Sequence, residues 1–466
     1  MTGFPRVCII GAGSSGFPVA KALQDANVPF DIFEMGDRVG GNWVYENSNR
    51  VSSAYKSLHI NTSRVRMQYA DFPMPDDYPD YPGHERIARY FEAYVDRFGL
   101  RERITFRTRV DRCRRREADG TWDVTLHTGE TRRYDALVVA NGHHWDPRWP
   151  DPPIPGAFGG LEMHSHHYRT PRVPHDLRGK RVVVVGMGNS AMDIACELSN
   201  ADVARRVLLS IRHTAYVIPK YLFGRPLDTL GLTAWWIPLP VQRMLLSLGM
   251  RMLVGRMEDY GLPAPRHDVL AAHPTVSGEF LLRLGSGDIA VKPTIRRKDG
   301  ARVEFDDGSV EEVDAIVYAT GYNVSFPFFD PGFLAARDND LPLFFRTISP
   351  GIDDLFFIGL LQPLGAVMPI AERQGKWMAE YLTGRYALPP RREMERRMQR
   401  DHEAMRRRYL ASPRHTMQVD FDRYMYALAR EMAAGRRRAR RRGFELPIPP
   451  RATAEVSAAT GIPPRA

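Results

Sequence analysis

Two stretches of the chain share one pattern of apolar and polar positions. Arg6-Val7-Cys8-Ile9-Ile10 runs into Gly11-Ala12-Gly13-Ser14-Ser15-Gly16, and Arg181-Val182-Val183-Val184-Val185 runs into Gly186-Met187-Gly188-Asn189-Ser190-Ala191. Each run is short, rich in β-branched residues and bounded by glycine, as a strand buried in a parallel sheet should be. Helix-compatible sequence follows each, over 17–24 and 191–198. Further strands are expected at 31–34, 136–140, 207–211, 315–319 and 355–358. Strands alternating with helices predict an α/β protein with two doubly wound, Rossmann-like dinucleotide-binding domains.

The pattern changes elsewhere. Residues 145–155 hold five prolines and read as a linker between lobes. The most apolar later stretch, 235–254, is interrupted by Pro238, Pro240, Arg243 and Arg251, so it falls short of the roughly 20 apolar residues of a membrane span. It reads as a pair of buried helices, with an amphipathic helix at a substrate entrance or membrane surface as the alternative. After Pro390 strand signals vanish, and 391–442 read as C-terminal helices, followed by a polar tail over 443–466.

Composition narrows the class. With 43% hydrophobic and 26% charged residues the 466-residue chain is an ordinary globular protein. Its net charge of +10 lies wholly after residue 390, where 19 Lys and Arg face nine acids. The body is neutral, which argues against a nucleic-acid partner. The run of arginines from Arg436 to Arg442 reads as a solvated helix end. Cys8, Cys113 and Cys196 are far apart and form no C-x-x-C, so neither a disulfide framework nor a dithiol redox centre is expected. Cys8 and Cys196 read as core residues, Cys113 as an exposed one. The N-terminus carries no secretory pattern, and a reducing cytoplasm is the expected compartment.

The glycines supply the candidate chemistry. A Gly-x-Gly-x-x-Gly loop between strand and helix lets the backbone approach a pyrophosphate, and the helix N-terminus stabilises its charge. Glu34, 23 residues beyond Gly11 at the end of the next strand, is placed to accept hydrogen bonds from a ribose diol. The second unit ends its equivalent strand with Ser210-Ile211-Arg212 and no carboxylate. Arg212 suits a 2′-phosphate, which favours NADP over NAD. Gly40-Gly41-Asn42-Trp43 adds a tight turn and an indole beside the first loop. Two such folds in one chain suit hydride transfer from a nicotinamide to a flavin, whose reactive atoms must be held close. The histidines at 143, 144, 164, 166 and 167 fit no well-known metal-ligand spacing, so no metal is expected.

These residues resemble the flavin-containing monooxygenases that oxygenate nitrogen and sulfur. Phe158-Gly159-Gly160-Leu161-Glu162-Met163-His164-Ser165-His166-His167-Tyr168 is similar to that family's F-x-G-x-x-x-H-x-x-x-(F/Y) signature, and Tyr168-Arg169 stands where Baeyer–Villiger relatives have Trp-Pro. The segment Tyr55-Lys56-Ser57-Leu58-His59-Ile60-Asn61-Thr62-Ser63 resembles the one whose asparagine approaches the flavin. Ala319-Thr320-Gly321-Tyr322 and the block 361–372 also match. The family's Lys-Glu pair after Asn-Thr-Ser is replaced by Arg64-Val65, and the stretch 218–297 is also similar to the plant branch that decarboxylates indole-3-pyruvate.

The resemblance implies a discontinuous FAD domain (1–155 and 321–442) with an NADPH domain (156–320) inserted. It implies NADPH and O2 as co-substrates, a C4a-hydroperoxyflavin, and a small nucleophilic amine or sulfide as substrate. Carbonyl oxygenation, oxidative decarboxylation and an NADPH oxidase are the alternatives, and a homodimer is compatible with the family. Asn61 is the implied catalytic residue, and Thr62, Asp193 and Gln374 join the cofactor-binding set. His164 reads as structural. The polar C-terminus points to a soluble, bacterial-type member without an integral membrane segment.

Overall fold

The computed structural model describes residues 3–272, 274–334, 336, 339–409, 416–452 and the backbone of 456–457. Both apolar runs form the expected strands. Val7–Ile10 is buried along its whole length at the centre of a six-stranded sheet. Phe30–Phe33 and then Ile104–Thr105 lie on one side; Ala136–Val139, Ile352–Phe357 and Ile348–Ser349 lie on the other. All pair in parallel except the last. The second sheet is wholly parallel, in the order Leu161–His164, Ala315–Tyr318, Arg181–Val185, Arg206–Ser210, Ile289–Lys292. In each sheet the strand order reverses beside the strand that carries the Gly-rich loop. A ligand crevice opens at that point in doubly wound folds.

The first lobe is discontinuous. Its sheet needs Ile352–Phe357, and the helix Met368–Leu382 packs on Gly16–Asp25 so closely that a Cβ on Gly375 would stand 3.1 Å from Val19 Cα. Each lobe has its own apolar core, one around Ile9, Phe17 and Trp377, the other around Val182, Ile194 and Leu209.

Several expectations need correction. Cys113 is buried like the other two cysteines, because its strand, Val110–Arg115, is covered by Phe328 and Phe329. The stretch 235–254 yields one helix, Leu239–Leu253, instead of a buried pair. Gln242, Leu246 and Met250 face inward, whereas Val241, Met244, Leu248 and Met252 face outward. Among the described residues no helix is long and apolar enough to cross a membrane.

The C-terminal helices are Arg391–Arg408 and Phe421–Arg441, but a short strand, Gln418–Asp420, pairs with Gln362–Leu364 between them. The segment expected as a free tail begins by lining the body. The Arg451 and Ala452 N–H groups both donate to Asp135 at 2.7 Å, and Val456–Ser457 adds an edge strand to Thr131–Tyr134. Residues 458–466 lie outside the described residues. In the arginine run, Arg437, Arg440, Arg441 and Arg442 are exposed as expected, while Arg436 pairs with Glu380 and Arg438 with Glu431.

Candidate active site

Both Gly-rich loops open into one cleft of about 2160 Å³ between the lobes. A site for one drug-sized ligand occupies roughly 300–1,000 Å³, so this cleft has room for two dinucleotides. Sixteen of the expected residues line it: Gly11, Gly13, Ser14, Ser15, Glu34, Gly41, Asn42, Trp43, Asn61 and Thr62 from the first lobe, and Gly186, Gly188, Asn189, Ser190, Ser210 and Arg212 from the second.

The glycines are required for different reasons. Gly11 has φ +98°, and a Cβ would meet Ala140 O at 2.7 Å; Gly186 has φ +134°, and a Cβ would meet Ala319 O at 2.5 Å. Both allow the central strand to turn under its neighbour. A Cβ on Gly13, by contrast, would meet nothing nearer than Gly41 Cα at 3.7 Å. The fold has no steric need for glycine there, but a pyrophosphate lying against the backbone does.

Glu34 is buried with its carboxylate turned back on the loop. It accepts the Ala12 N–H at 2.8 Å and the Gly36 N–H at 2.6 Å. Burial raises its pKa, against the pull of those N–H groups. The Asn49 side chain bonds it as well; an ionised carboxylate offers about four acceptor sites, so one remains for a ribose hydroxyl. The cradle therefore fits a flavin dinucleotide.

Five expected residues do not line the cleft. Ala12 binds Glu34 through its N–H, Gly16 sits where any side chain would overlap Gly11 O, and Ala191 is fully buried beside Gly186. Gln374 is also fully buried. Its carboxamide accepts the Gly359 N–H at 3.0 Å and donates to the Tyr424 hydroxyl at 2.8 Å, so it supports the cleft wall from behind. Asp193 accepts the Tyr55 hydroxyl and faces the other lobe.

Asn61 is half-buried, lines the cleft, and makes no hydrogen bond to the protein through its carboxamide among the described residues. Arg212 is exposed and has no carboxylate partner among the described residues. Desolvation and then the nearby guanidinium groups of Arg212 and Arg266 hold the neighbouring His213 below its ordinary pKa. This end of the cleft is thus electropositive.

Sequence reasoning missed the residues that join the lobes. Arg169 donates to Ser52 O and to His166 O, both at 2.8 Å, and the Ser52 hydroxyl donates to Asn42 O at 2.9 Å. The signature segment is thereby tied to the turn beside the first loop. Its His164 and His166, together with His144, surround Tyr322, with ring centroids 5.3–5.8 Å away. His164 is fully buried and caps the following turn by accepting the His166 N–H at 3.0 Å, a structural role. Burial lowers His164 and His166 to about 4.

An unfolded histidine titrates near ~6.5. Between pH 6.5 and 4 the unfolded chain therefore binds more protons at these two sites than the folded one, and stability falls as pH falls. We expect the thermal midpoint to drop across that window and His166→Gln to flatten part of the drop. An unchanged slope in that variant would remove His166 from this account.

The family model described as flavin-binding monooxygenase-like matches residues 5–437, and the chain belongs to that family. It is an FAD-dependent monooxygenase. Among curated relatives it is 34% identical over 435 residues to rat flavin-containing monooxygenase 5, covering 89% of this chain and 80% of that protein. It is 33% identical over 449 residues to rat dimethylaniline monooxygenase [N-oxide-forming] 2, covering 92% and 83%. The structure of S-allyl-L-cysteine S-oxygenase from Allium sativum superposes with a TM-score of 0.67 at 25% identity, over 94% of this chain and 91% of that one.

Proposed function

We propose that the protein uses NADPH and O2 to oxygenate a soft nucleophile, an amine nitrogen or a sulfide sulfur. The observation that carries this reading is one cleft shared by two dinucleotide loops, with the unengaged Asn61 carboxamide on its wall. The relatives' names, an N-oxide-forming enzyme and an S-oxygenase, support the two substrate classes.

Gly11–Gly16 and Glu34 would hold FAD, by its pyrophosphate and a ribose, and Gly186–Ser190 and Arg212 would hold NADPH, by its pyrophosphate and 2′-phosphate. FAD and NADPH belong respectively to the lobe formed by 1–155 with 321–442 and to the inserted lobe formed by 156–320. When bound and reduced, the flavin supplies the activation of oxygen that the side chains lack. The chain's part is to align the two nucleotides, exclude water and offer the Asn61 amide as a hydrogen-bond donor at the reacting edge. Three buried, unpaired cysteines suit a reducing cytoplasm. The neutral body offers nucleic acid no footprint, and a homodimer is compatible with this reading.

The test is a balance of NADPH, O2, product and peroxide, with N,N-dimethylaniline, methyl phenyl sulfide and a ketone as probes. We expect about one N-oxide or sulfoxide per NADPH, with NADH a poor donor. Arg212→Ala should reduce the preference for NADPH roughly 10- to 100-fold, the weight of one charge-assisted contact of about 1.5–3 kcal/mol. Quantitative peroxide with every probe would instead make the protein an NADPH oxidase, and ester formation alone would make it a carbonyl oxygenase.

A further inference from the structure

The segment that carries Asn61 belongs to the first lobe, where Lys56 pairs with Glu85, yet three of its hydrogen bonds run to carboxylates of the second. The Tyr55 hydroxyl donates to Asp193, and the Ser57 hydroxyl donates to Glu197 at 2.8 Å. Past Asn61, the Ser63 N–H donates to Asp228 at 2.7 Å. Asp193 and Glu197 stand one turn apart on Asn189–Leu198, the helix that opens at the second Gly-rich loop. Glu197 also accepts the Tyr168 hydroxyl at 3.0 Å, and the Tyr55 and Tyr168 rings meet edge to face at 6.3 Å. Tyr55 and Tyr168 are buried, and Ser63 is fully so.

Carboxylates are costly groups to place in such surroundings, because desolvation disfavours their charge. An amide or a hydroxyl would fill the same space with less penalty. What a carboxylate adds is direction: it only accepts, so Tyr55, Ser57 and the Ser63 N–H must all point at the second lobe. The segment between these anchors has then little freedom to slide. Asn61 and Thr62 are the residues it presents to the cleft.

We propose that Asp193, Glu197 and Asp228 form an inter-lobe clamp that sets the register of Asn61 against the second nucleotide loop. They are positioning residues; none touches the reacting atoms. The clamp rests on the functional reading above for its purpose but not for its existence. It makes the second lobe a structural co-determinant of the flavin site, so that loosening the helix at one nucleotide misplaces the amide at the other.

The test uses full-length Tyr55→Phe, Asp193→Asn and their double variant, with Asp228→Asn for the far anchor. Amide hydrogen exchange is followed in peptides covering 55–63 and in both central strands, in protein free of nicotinamide nucleotide. Product per NADPH is measured on flavin-loaded samples.

We expect exchange in 55–63 to quicken about tenfold while the central strands keep wild-type rates, and the yield per NADPH to fall at least about threefold. The double variant should match the worse single one, since both lose the same bond. Wild-type exchange in 55–63, or equal acceleration in the central strands, would overturn the clamp. So would additive losses in the double variant. If the wild-type protein formed no product, the functional reading would fail, while the exchange measurement would still decide whether the clamp exists.

Discussion

We expect Gly186→Val to leave a yellow protein that NADPH reduces at least about 100-fold more slowly. The residue has φ +134°, which a valine reaches only under strain, and its Cβ would stand 2.5 Å from Ala319 O. A non-glycine residue in such a conformation costs on the order of 1–3 kcal/mol before any overlap is counted. The loop must therefore move, and with it the backbone N–H groups at the start of Asn189–Leu198 that would face a pyrophosphate. A loss of about 2.7 kcal/mol already corresponds to 100-fold. The damage stays local because the second lobe packs on its own core, leaving Gly11, Gly13 and Glu34 undisturbed. Flavin absorbance per protein and the anaerobic reduction rate check both halves. Reduction at the wild-type rate would show that the electron donor does not use this loop.

Asn61→Ala should have the second largest effect, of a different kind. Its carboxamide has no hydrogen-bond partner in the protein among the described residues, so truncating it breaks no internal hydrogen bond, and we expect flavin to be retained. Removing one donor placed at a reacting edge typically costs about 10²–10³-fold in rate. Here we expect the loss as a switch of outcome, with NADPH oxidised, peroxide released and product per NADPH reduced at least about tenfold. Undiminished yield would assign the reacting edge to another residue.

Residues were legible in the sequence where one short segment carries the whole signal. Each strand, its Gly-rich loop and its helix are contiguous, so both Gly-rich loops and Glu34 could be placed in the fold from periodicity and spacing alone. Asn61 could not; outside its family context, an asparagine before Thr-Ser is a turn residue.

The misreadings share a cause. Asp193 sits on the right helix and on the same face as Asn189, but one turn further along it, where it meets Tyr55 rather than the cleft. Gln374 lies near the flavin block in sequence but points at Gly359 and Tyr424. The ties made by Arg169, Ser52 and Asp228 escaped notice because they join segments more than a hundred positions apart, a relation that no local pattern encodes. The edge strand at Val456–Ser457 is only two residues long, too short to show a period.

The interruption of the first sheet has a consequence for biogenesis. Every strand of the second sheet lies between Leu161 and Tyr318, so that lobe has all its sequence outside the ribosome while the first still lacks Ile352–Phe357 and Met368–Leu382. Domains fold as units during synthesis once their sequence has emerged. The second lobe therefore matures first, and the first lobe, begun earliest, is finished last. Until then Ala136–Val139 waits with its outer edge unpaired, which makes the late-arriving C-terminal segment the step that protects the nascent chain from association with its neighbours.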